Sequence, residues 1–503
     1  MSVSQLEVTK KYAPTSLGAV AILGLGVSGR AVSSYCAGLL GSRIESLCVY
    51  AGKKNDKAVA FAGELEAEGV RVLFDTEELE SSYDLCIVSP GISQFSSFYQ
   101  NAQQASKEVI SEVEFAWRES EKESVWIAVT GTNGKTTTTS LIASLVRGFG
   151  KEVYAVGNIG DACIDAVGRN QLSAHTNTIY YVAEVSSYQL ASTSRFAPNV
   201  AVLLNITPDH IKWHKTHEAY CEAKRKIYAN CSDGCTVVLD ATNDTVRSYV
   251  KEIKALSPED RGFDYIPLGS AKGLSYSMID ACGSENAAFS DEGILKVSYK
   301  GTTYDLGDGG ALQIKGEHNI SNALAAASAV TAALSCEMPK SAFIALLQKG
   351  LRSFAPLEHR IEPCGSIQGV ACFNDSKATN VDATLKALTS FLPIKPIALF
   401  GGDDKHTDLT ELVEQAEQNC SAVVCFGAAG PRFFEECSKA KTLPVYSASN
   451  LEAALDEGLR HSKPGDVIVL SPACASFDEF TCFEERGEVF KNLVAQRRER
   501  LGA

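Results

Sequence analysis

The chain has 503 residues, of which 45% are hydrophobic and 21% are charged. This length exceeds what one hydrophobic core usually holds, and the composition is that of a folded multidomain protein, which excludes a disordered or fibrous chain. Acidic residues outnumber basic ones by 61 to 47 and set the net charge at −14, so we expect neither nucleic acid nor an anionic membrane as a partner.

The cysteines and the lack of targeting segments indicate the compartment. No apolar run reaches the ~18 residues that a membrane span needs, and the first residues lack the layout of a signal peptide. The 16 cysteines are scattered without a CxxC pair, which is typical of buried thiols in a reducing cytoplasm rather than of a disulfide framework. We expect a cytoplasmic protein and a monomer.

One local pattern repeats along the chain: a short β-branched apolar run, a Gly- or Asn-rich turn and a helix-like stretch. Such runs predict strands buried on both faces, so we expect an α/β fold of parallel sheets covered by helices. Ligands of such sheets bind at the carboxyl ends of the strands. The pattern separates into three blocks, which predict domains at residues 1–113, 114–356 and 357–503. Residues 243–308 are polar and turn-rich and contain no motif.

The first glycine-rich turn, GLGVSG at residues 24–29, follows a strand predicted at 20–23. Its GxGxxG pattern occurs in dinucleotide-binding folds, where an acid at the end of the second strand usually binds the ribose. Here that strand ends in Tyr50-Ala51-Gly52 without an acid, which argues against a nicotinamide oxidoreductase. A nucleotide diphosphate bound at the turn and a purely structural turn both remain open.

The second glycine-rich turn, GTNGKTT at residues 131–137, lies between a strand predicted at 126–130 and a helix. Its backbone N–H groups would face an anion, to which the helix N-terminus adds partial positive charge. Lys135 would reach the outer phosphates of a nucleotide, and the Thr136 hydroxyl would bind magnesium. Val129 replaces the first glycine of the strict Walker pattern. The alternative for the loop is a structural turn with a solvent-facing lysine. An alternative function, that of a regulatory ATP-binding protein without ligase activity, would be supported by this loop alone.

A carboxylate ends the next strand of the central block. Glu184 follows a strand predicted at 179–183 and precedes SSYQL. Beside a phosphate-binding loop, this carboxylate suits a direct or indirect contact with magnesium. The alternative role is the N-cap of the following helix, which Ser186 or Ser187 could also provide.

Three histidines follow the strand predicted at 200–204. His210 comes directly after Asp209, and His214 and His217 lie just beyond. A zinc site would need a fourth ligand, which the segment does not offer. We therefore expect His210 to take part in the chemistry and the other two histidines to be surface or packing residues.

Lys224 lies in HEAYCEAKRKIYAN, where helical spacing places it one turn from Tyr220 and from Tyr228. A lysine on an aromatic stripe is desolvated, so its pKa falls and the neutral amine can react. Addition of carbon dioxide would give a carbamate, an anion able to bind a second magnesium. The sequence by itself favours the alternative, a snorkelling side chain with its ammonium in water. Lys226 is expected to pair with Glu222 in solvent.

Three polar turns follow strands in the last block: DSKATN at 375–380, GGDDK at 401–405 and SPACAS at 471–476. Lys377, Lys405 and Arg360 offer cations for anionic ligands. Each turn alone fits a capped helix or a tight turn, but three in one block predict a site.

These motifs, with EVSSYQL, GEHNISNALAA and SPACASFDEFTCFEERG, occur in the order of the ATP-dependent Mur ligase family and cover most of the chain, which therefore resembles that family. The resemblance implies a Rossmann-like N-terminal domain for a UDP-sugar, a central P-loop ATPase-like parallel-sheet domain, and a mobile Rossmann-like C-terminal domain that brings an amino acid.

The C-terminal motifs, together with the lack of a DNPR motif, indicate the family member that adds D-glutamate to UDP-N-acetylmuramoyl-L-alanine through an acyl phosphate, in cytoplasmic peptidoglycan precursor synthesis. Another amino-acid ligase of the family and a folylpolyglutamate synthase-like enzyme remain the alternatives.

The resemblance also implies roles for single residues. The ATP phosphates would contact Gly131, Thr132, Asn133, Gly134, Lys135, Thr136 and Thr137. Further nucleotide contacts would come from Asn322, Arg360, Asp375 and Lys377. Two magnesium ions would be bound by Thr136, Glu184, His210 and carbamylated Lys224. The muramoyl substrate would contact Val27, Ser28, Gly91, Asn158, Ser186 and Gln189. D-glutamate would be placed by Asp209, Thr379, Lys405, Ser476 and Phe483. The catalytic set would be Lys135, Glu184, Asp209, His210 and Lys224. Because Tyr50 replaces an acid, uridine recognition would use the backbone or Lys53.

Overall fold

The computed structural model describes residues 10–171, 177–269, 286–314, 316–404 and 407–501. These residues form three sheets, one in each predicted segment of the chain, and they cluster into two compact units. One unit comprises Met1–Ala311 with Ser321–Arg352, and the other comprises Leu312–Ile320 with Ser353–Ala503. The α/β fold with parallel sheets is confirmed, whereas the domain boundaries stay predictions.

The first sheet has five parallel strands in the order β3-β2-β1-β4-β5. This order matches the first five strands of the Rossmann order 3-2-1-4-5-6. The strands are β1 Gly18–Leu23, β2 Ile44–Tyr50, β3 Arg71–Leu73, β4 Leu85–Val88 and β5 Val109–Ser111. The helices are α1 Val27–Ala37, α2 Asp56–Ala67, α3 Ser97–Ala105 and α4 Glu112–Glu119.

The second sheet has nine strands in the order β14-β13-β12-β11-β10-β9-β6-β8-β7. Only β12, β13 and β14 pair antiparallel, at one edge. The strands are β6 Val125–Thr130, β7 Glu152–Gly157, β8 Ile179–Glu184, β9 Val200–Leu203, β10 Thr236–Asp240, β11 Asp264–Leu268, β12 Ala287–Asp291, β13 Ile294–Tyr299 and β14 Thr302–Asp308. Most of residues 243–308, for which the sequence offered no motif, therefore completes this edge and the helices beside it.

The α-helices of this segment are α5 Lys135–Gly148, α6 Cys163–Gln171, α7 Ser187–Ala191, α8 Ile211–His214, α9 His217–Arg225, α10 Asp244–Ala255, α11 Pro258–Arg261, α12 Glu317–Leu334 and α13 Lys340–Ser353. Short 3₁₀ turns lie at Lys226–Tyr228, Gly309–Ala311 and Ser335–Glu337. One hydrophobic cluster runs through the first and second sheets and contains Val20 of β1 and Trp126 of β6. This shared core explains why both sheets belong to one compact unit.

A buried ion pair stabilises the start of this unit. Glu119 at the end of α4 is 1% exposed and accepts hydrogen bonds from both terminal nitrogens of Arg43, at 2.6 and 2.8 Å. Lys10 donates to the same carboxylate. These cations hold the pKa of Glu119 below its usual range although burial acts in the opposite direction.

The third sheet has the order β15-β16-β20-β17-β18-β19 and is parallel except for the β15–β16 hairpin. Its strands are β15 Glu362–Ile367, β16 Val370–Asn374, β17 Ile397–Gly401, β18 Ala422–Phe426, β19 Val445–Ser447 and β20 Val467–Ala473. Its helices are α14 Val381–Thr389, α15 Thr410–Asn419, α16 Gly430–Cys437, α17 Leu451–Arg460 and α18 Phe483–Leu501. Separate hydrophobic clusters fill its two faces.

Most cysteines of the described residues are buried free thiols, among them Cys86, Cys372 and Cys425, as the sequence predicted. No helix in the described ranges combines the length and the apolar character that crossing a membrane requires.

Candidate active site

The glycine-rich loop joins β6 to α5, as predicted. Gly134 has a φ of +82°, and a Cβ atom built on it would lie 2.3 Å from Oδ1 of Asn322 on α12. Both the left-handed backbone and the close approach therefore require glycine. Asn322 is buried beside the loop, where the resemblance places a nucleotide contact.

The loop is held by the segment that follows β9. The backbone N–H groups of Thr132 and Asn133 donate to the carbonyl oxygen and to Oδ1 of Asn205, at 2.7 and 2.8 Å. The Asn205 amide in turn donates to the Asn133 carbonyl at 3.1 Å. Asn205 was not predicted as a functional residue, because its role depends on contacts with residues more than 70 positions earlier in the chain.

Lys135 does not extend into solvent. Its Nζ donates to the carbonyl oxygens of Gly131 and Thr132, at 3.0 and 2.9 Å. The ammonium group therefore lies over the loop, and the alternative of a solvent-facing lysine is wrong. The side chain is positioned where an anion bound by the loop would meet a positive charge.

Glu184 ends β8 and is 2% exposed. Its Oε1 accepts a hydrogen bond from Nδ2 of Asn158 at 2.9 Å, and its buried Oε2 has no hydrogen-bond partner among the described residues. A buried carboxylate oxygen without a donor is unfavourable unless a cation or donor completes it. Glu184 thus fits a magnesium ligand.

The capping alternative for Glu184 is wrong because α7 has its own cap. The Gln189 N–H donates to Oγ of Ser186 at 3.2 Å, and the Ser186 N–H donates to Oε1 of Gln189 at 2.9 Å, which forms a capping box. Ser186 and Gln189 therefore have a structural role in this fold, and their contact with the muramoyl substrate stays a prediction.

Asp209 and His210 lie in the loop after β9. His210 has a φ of +55°; its N–H donates to Oδ1 of Asp209 at 2.8 Å, and its Nε2 lies 3.6 Å from Oδ2. The imidazole is 42% exposed and its centroid is 4.8 Å from that of Tyr188. The acid and the base therefore lie side by side at the accessible surface of the loop.

The two remaining histidines pack, as expected. His214 is fully buried, and its Nε2 lies 2.9 Å from Oγ of Ser187. Burial, with further contributions from His210 and Lys224, lowers the pKa of His214 to about 4, so its imidazole is neutral at pH 7. His217 lies against the Sγ of Cys221.

Lys224 is the largest departure from the expectation based on the sequence. The side chain is 2% exposed, so the snorkelling alternative is wrong. Its Nζ donates to the Gly131 carbonyl at 2.7 Å and lies 4.8 Å from the ring centroid of Tyr220. Burial, with Lys135 adding to it, lowers the pKa of Lys224 well below its usual range. The amine is therefore desolvated and adjacent to the glycine-rich loop.

The surroundings of Lys226 also differ from the expectation. Its ammonium donates to the carbonyls of Ala191 and Thr193 rather than pairing with Glu222. Glu222 lies near Arg225 instead. Burial lowers the pKa of Lys226.

Tyr220 connects these groups, although the sequence predicted it only as a packing neighbour of Lys224. Its hydroxyl lies 2.8 Å from Oγ1 of Thr132 in the glycine-rich loop. Its ring contacts Lys224 and the imidazoles of His210 and His214. This residue therefore fixes α9 against the loop.

The GLGVSG turn connects β1 to α1 in the first sheet, and a phosphate group bound there stays a prediction. A Cβ atom on Gly29 would lie 1.9 Å from the Gly24 carbonyl, so the last glycine is needed for close packing. Val27 at the start of α1 is 79% exposed. Ser28 is half-buried, and Gly91 is exposed in the loop after β4.

Tyr50 is fully buried and cannot contact a ligand at this edge. Its hydroxyl lies 2.9 Å from that of Tyr83 and accepts the Glu80 N–H at 2.9 Å. Lys53 is exposed just beyond the strand. Uridine recognition through Lys53 or the backbone stays a prediction.

The third sheet places most of the C-terminal candidates together. Asp375 follows β16 and accepts a hydrogen bond from Oγ of Ser471 at 2.8 Å, and burial raises its pKa to about 7. The Lys377 ammonium lies 3.7 Å from the ring centroid of Phe483. The charge of Arg360 partly opposes this rise in the pKa of Asp375. Thr379 follows in the same turn, and Ser476 is buried after β20. Lys405 lies outside the described residues.

Arg486 on α18 joins two of these turns and was not among the residues predicted from the sequence. The fully buried guanidinium donates to Oγ and the carbonyl of Ser376, both at 2.9 Å. It also donates to the carbonyls of Cys474 and Ala475, at 3.1 and 2.9 Å. Arg486 lies in the motif SPACASFDEFTCFEERG. An arginine among charged residues at the start of a helix usually lies on the solvent-exposed face, so the sequence offered no reason to select it.

Comparison with known proteins identifies the family. Residues 129–330 match the Mur ligase middle domain, and residues 359–474 match the Mur ligase, glutamate ligase domain. The UDP-N-acetylmuramoylalanine--D-glutamate ligase of Thermoanaerobacter pseudethanolicus is 35% identical over 486 residues, which is 95% of this chain and 98% of the relative. The chain belongs to the Mur ligase family. The enzyme of the same name from Natranaerobius thermophilus is 33% identical over the same shares.

Solved structures support the Mur ligase fold. MurF from Acinetobacter baumannii has a TM-score of 0.56 and 16% identity, with coverage of 95% of this chain and 93% of that chain. A pseudomurein peptide ligase type C from Methanothermus fervidus has a TM-score of 0.53 and 16% identity, with coverage of 95% and 99%. Membership of this family argues against the oxidoreductase that GLGVSG alone allowed.

Proposed function

We propose that this Mur ligase adds D-glutamate to UDP-N-acetylmuramoyl-L-alanine with consumption of ATP, in peptidoglycan precursor synthesis. The observation that carries the proposal is the similarity, over nearly the whole chain, to relatives named UDP-N-acetylmuramoylalanine--D-glutamate ligase. In this proposal the partners are small molecules, and the enzyme acts as a cytoplasmic monomer.

ATP would bind with its phosphates on residues 131–137. Lys135 would exchange its two carbonyl acceptors for phosphate oxygens, because a charge-assisted hydrogen bond to an anion is stronger than one to a neutral carbonyl. Asn322, Arg360, Asp375 and Lys377 would add nucleotide contacts. A related structure, MurF ligase from Thermotoga maritima, is described in complex with ADP, which supports nucleotide use in this fold.

Two magnesium ions fit the donors Thr136, Glu184, His210 and a carbamate on Lys224. The fit rests on Oε2 of Glu184, which has no hydrogen-bond partner among the described residues, and on the buried Lys224 amine. Burial lowers the pKa of Lys224, which favours the neutral amine that reacts with carbon dioxide. When bound, the metals would neutralise phosphate charge.

The reaction would proceed in two steps. The alanyl carboxylate attacks the γ-phosphorus, ADP leaves and an acyl phosphate forms, with loop N–H groups and Lys135 stabilising the transferred charge. Asp209 or His210 then accepts a proton from the D-glutamate ammonium, the amine attacks the acyl carbon, and phosphate leaves. D-glutamate would be held by Thr379, Lys405, Ser476 and Phe483, together with Asp209.

The proposal is tested by phosphate release with UDP-N-acetylmuramoyl-L-alanine as acceptor. We expect release that depends on both ATP and D-glutamate, with L-glutamate at least about tenfold less effective. A folylpolyglutamate synthase-like enzyme would instead prefer L-glutamate and a folate acceptor. ATP consumption that does not depend on the muramoyl substrate would contradict the proposal.

Arg486 is expected to position the amino-acid site. Arg486→Met keeps the length of the side chain but removes all four hydrogen bonds to Ser376, Cys474 and Ala475. We expect a loss of roughly 2–3 kcal/mol in stability and a higher KM for D-glutamate, with the KM for the muramoyl substrate unchanged. Thermal melting and steady-state kinetics measure these effects.

The matched control is Arg497→Met on the same helix. Arg497 is also buried, but it pairs with Asp456 and Glu452 rather than with the site turns. We expect this variant to melt earlier with the D-glutamate KM unchanged. If Arg486→Met and Arg497→Met had the same KM for D-glutamate, Arg486 would have only a structural role.

A further inference from the structure

Tyr188 and Trp213 form an aromatic stack beside His210. Their ring centroids are 4.6 Å apart with an interplanar angle of 29°. The Tyr188 ring is also 4.8 Å from the imidazole of His210. Tyr188 therefore contacts both Trp213 and His210, and Trp213 also packs on His214 with ring centroids 4.4 Å apart.

The geometry of His210 explains why such a support is needed. Its backbone is in the left-handed region and its imidazole is 42% exposed, whereas Glu184 is buried. An exposed side chain on a strained loop samples several rotamers unless a neighbour limits them. Asp209 contacts the imidazole and Tyr188 provides an aromatic surface beside it.

Trp213 is held by the first sheet's loop as well as by its ring contacts. Oγ of Ser93, two residues after Gly91, donates to the Trp213 carbonyl at 2.9 Å. The indole N–H is buried without an acceptor among the described residues. The contacts of the indole with Tyr188 and His214 are made through its ring.

We propose that Tyr188 and Trp213 are positioning residues that orient the His210 imidazole for metal binding. This inference rests on the proposed function, in which His210 is a magnesium ligand. Groups that orient a metal ligand typically change metal affinity 10- to 100-fold when they are removed. The stack would act on the metal and on turnover, while the phosphate-binding loop keeps its own contacts.

The test compares Trp213→Ala, Trp213→Phe and Tyr188→Ala with the parent enzyme. Mn²⁺ binding to the ATP-loaded protein is followed by electron paramagnetic resonance, and kcat and KM are measured separately. We expect both alanine variants to bind Mn²⁺ about tenfold more weakly and to lose at least about tenfold in kcat. The KM for D-glutamate should stay within about twofold, and Trp213→Phe should restore most of both losses because it keeps a ring.

Phe149→Ala is the matched control. Phe149 is a half-buried aromatic residue at the far end of α5 that packs on Phe343 with centroids 5.0 Å apart. We expect a lower melting temperature with unchanged Mn²⁺ affinity and kcat.

Unchanged Mn²⁺ affinity in both alanine variants, or an equal loss in Trp213→Phe, would overturn the proposal. If the parent enzyme binds Mn²⁺ but does not convert the muramoyl substrate, the proposed function fails, and the Mn²⁺ comparison still decides the role of the stack.

Discussion

Lys135→Ala should abolish ADP formation while the protein remains folded. Lys135 is the only residue of GTNGKTT with a full positive charge, and its Nζ already lies over the loop. Loss of a positioned charge on a transferred phosphoryl group costs about 10³-fold in rate. Its two hydrogen bonds to loop carbonyls add little net stability. ADP formation in a coupled assay measures the effect, with circular dichroism as the folding check.

Lys151→Ala is the control for the loss of a lysine near α5. Lys151 follows the C-terminal end of that helix and pairs with Glu337, so its removal should leave ADP formation near the parent rate. If Lys135→Ala turned over as fast as Lys151→Ala, the phosphate-binding role would be wrong.

Lys224→Ala should also lower ligase activity by at least about 10³-fold, the size expected when a positioned charge-stabilising group is lost. Added bicarbonate should not restore the activity. The physical reason is that the variant lacks the buried amine beside the Gly131 carbonyl, which is the proposed site of the carbamate. Lys224→Met keeps most of the buried volume against Tyr220 and separates lost chemistry from a cavity. Phosphate release with and without bicarbonate measures the effect.

Lys226→Ala provides the comparison. Lys226 lies two residues after Lys224, and its ammonium donates to the carbonyls of Ala191 and Thr193 instead of to the glycine-rich loop. We expect Lys226→Ala to lower stability modestly and to retain activity.

The parent protein loaded with ¹³C-bicarbonate should show a carbamate signal in NMR that Lys224→Met lacks. Activity of Lys224→Met near the parent level would remove Lys224 from the site.

The glycine-rich loop was predictable because its determinants are contiguous. A buried strand, a glycine with positive φ and a helix start follow one another within a dozen residues, and each depends on local backbone preference. The capping box of Ser186 and Gln189 is local for the same reason. The parallel sheets followed from apolar runs that are too continuous for a surface strand.

Lys224 and Lys226 show where local reasoning ends. Both lie in one short segment, and the sequence favoured solvent for both. Helix α9 ends at Arg225 and continues as a 3₁₀ turn, so helical spacing stops just after Lys224. The contact of Tyr220 with Thr132, across 88 residues, decides which face of α9 is buried.

The sequence by itself determined three features of this protein: the glycine-rich loop between a strand and a helix, the carboxylate at the end of β8, and the family to which the motifs belong. Only the tertiary structure decided which of these groups are desolvated. Segments far apart in the chain produce the burial of Lys224, the Oε2 of Glu184 that lacks a hydrogen-bond partner among the described residues, and the four hydrogen bonds of Arg486. Desolvation and long-range hydrogen bonding depend on what packs around a side chain, and local sequence preferences do not contain that information.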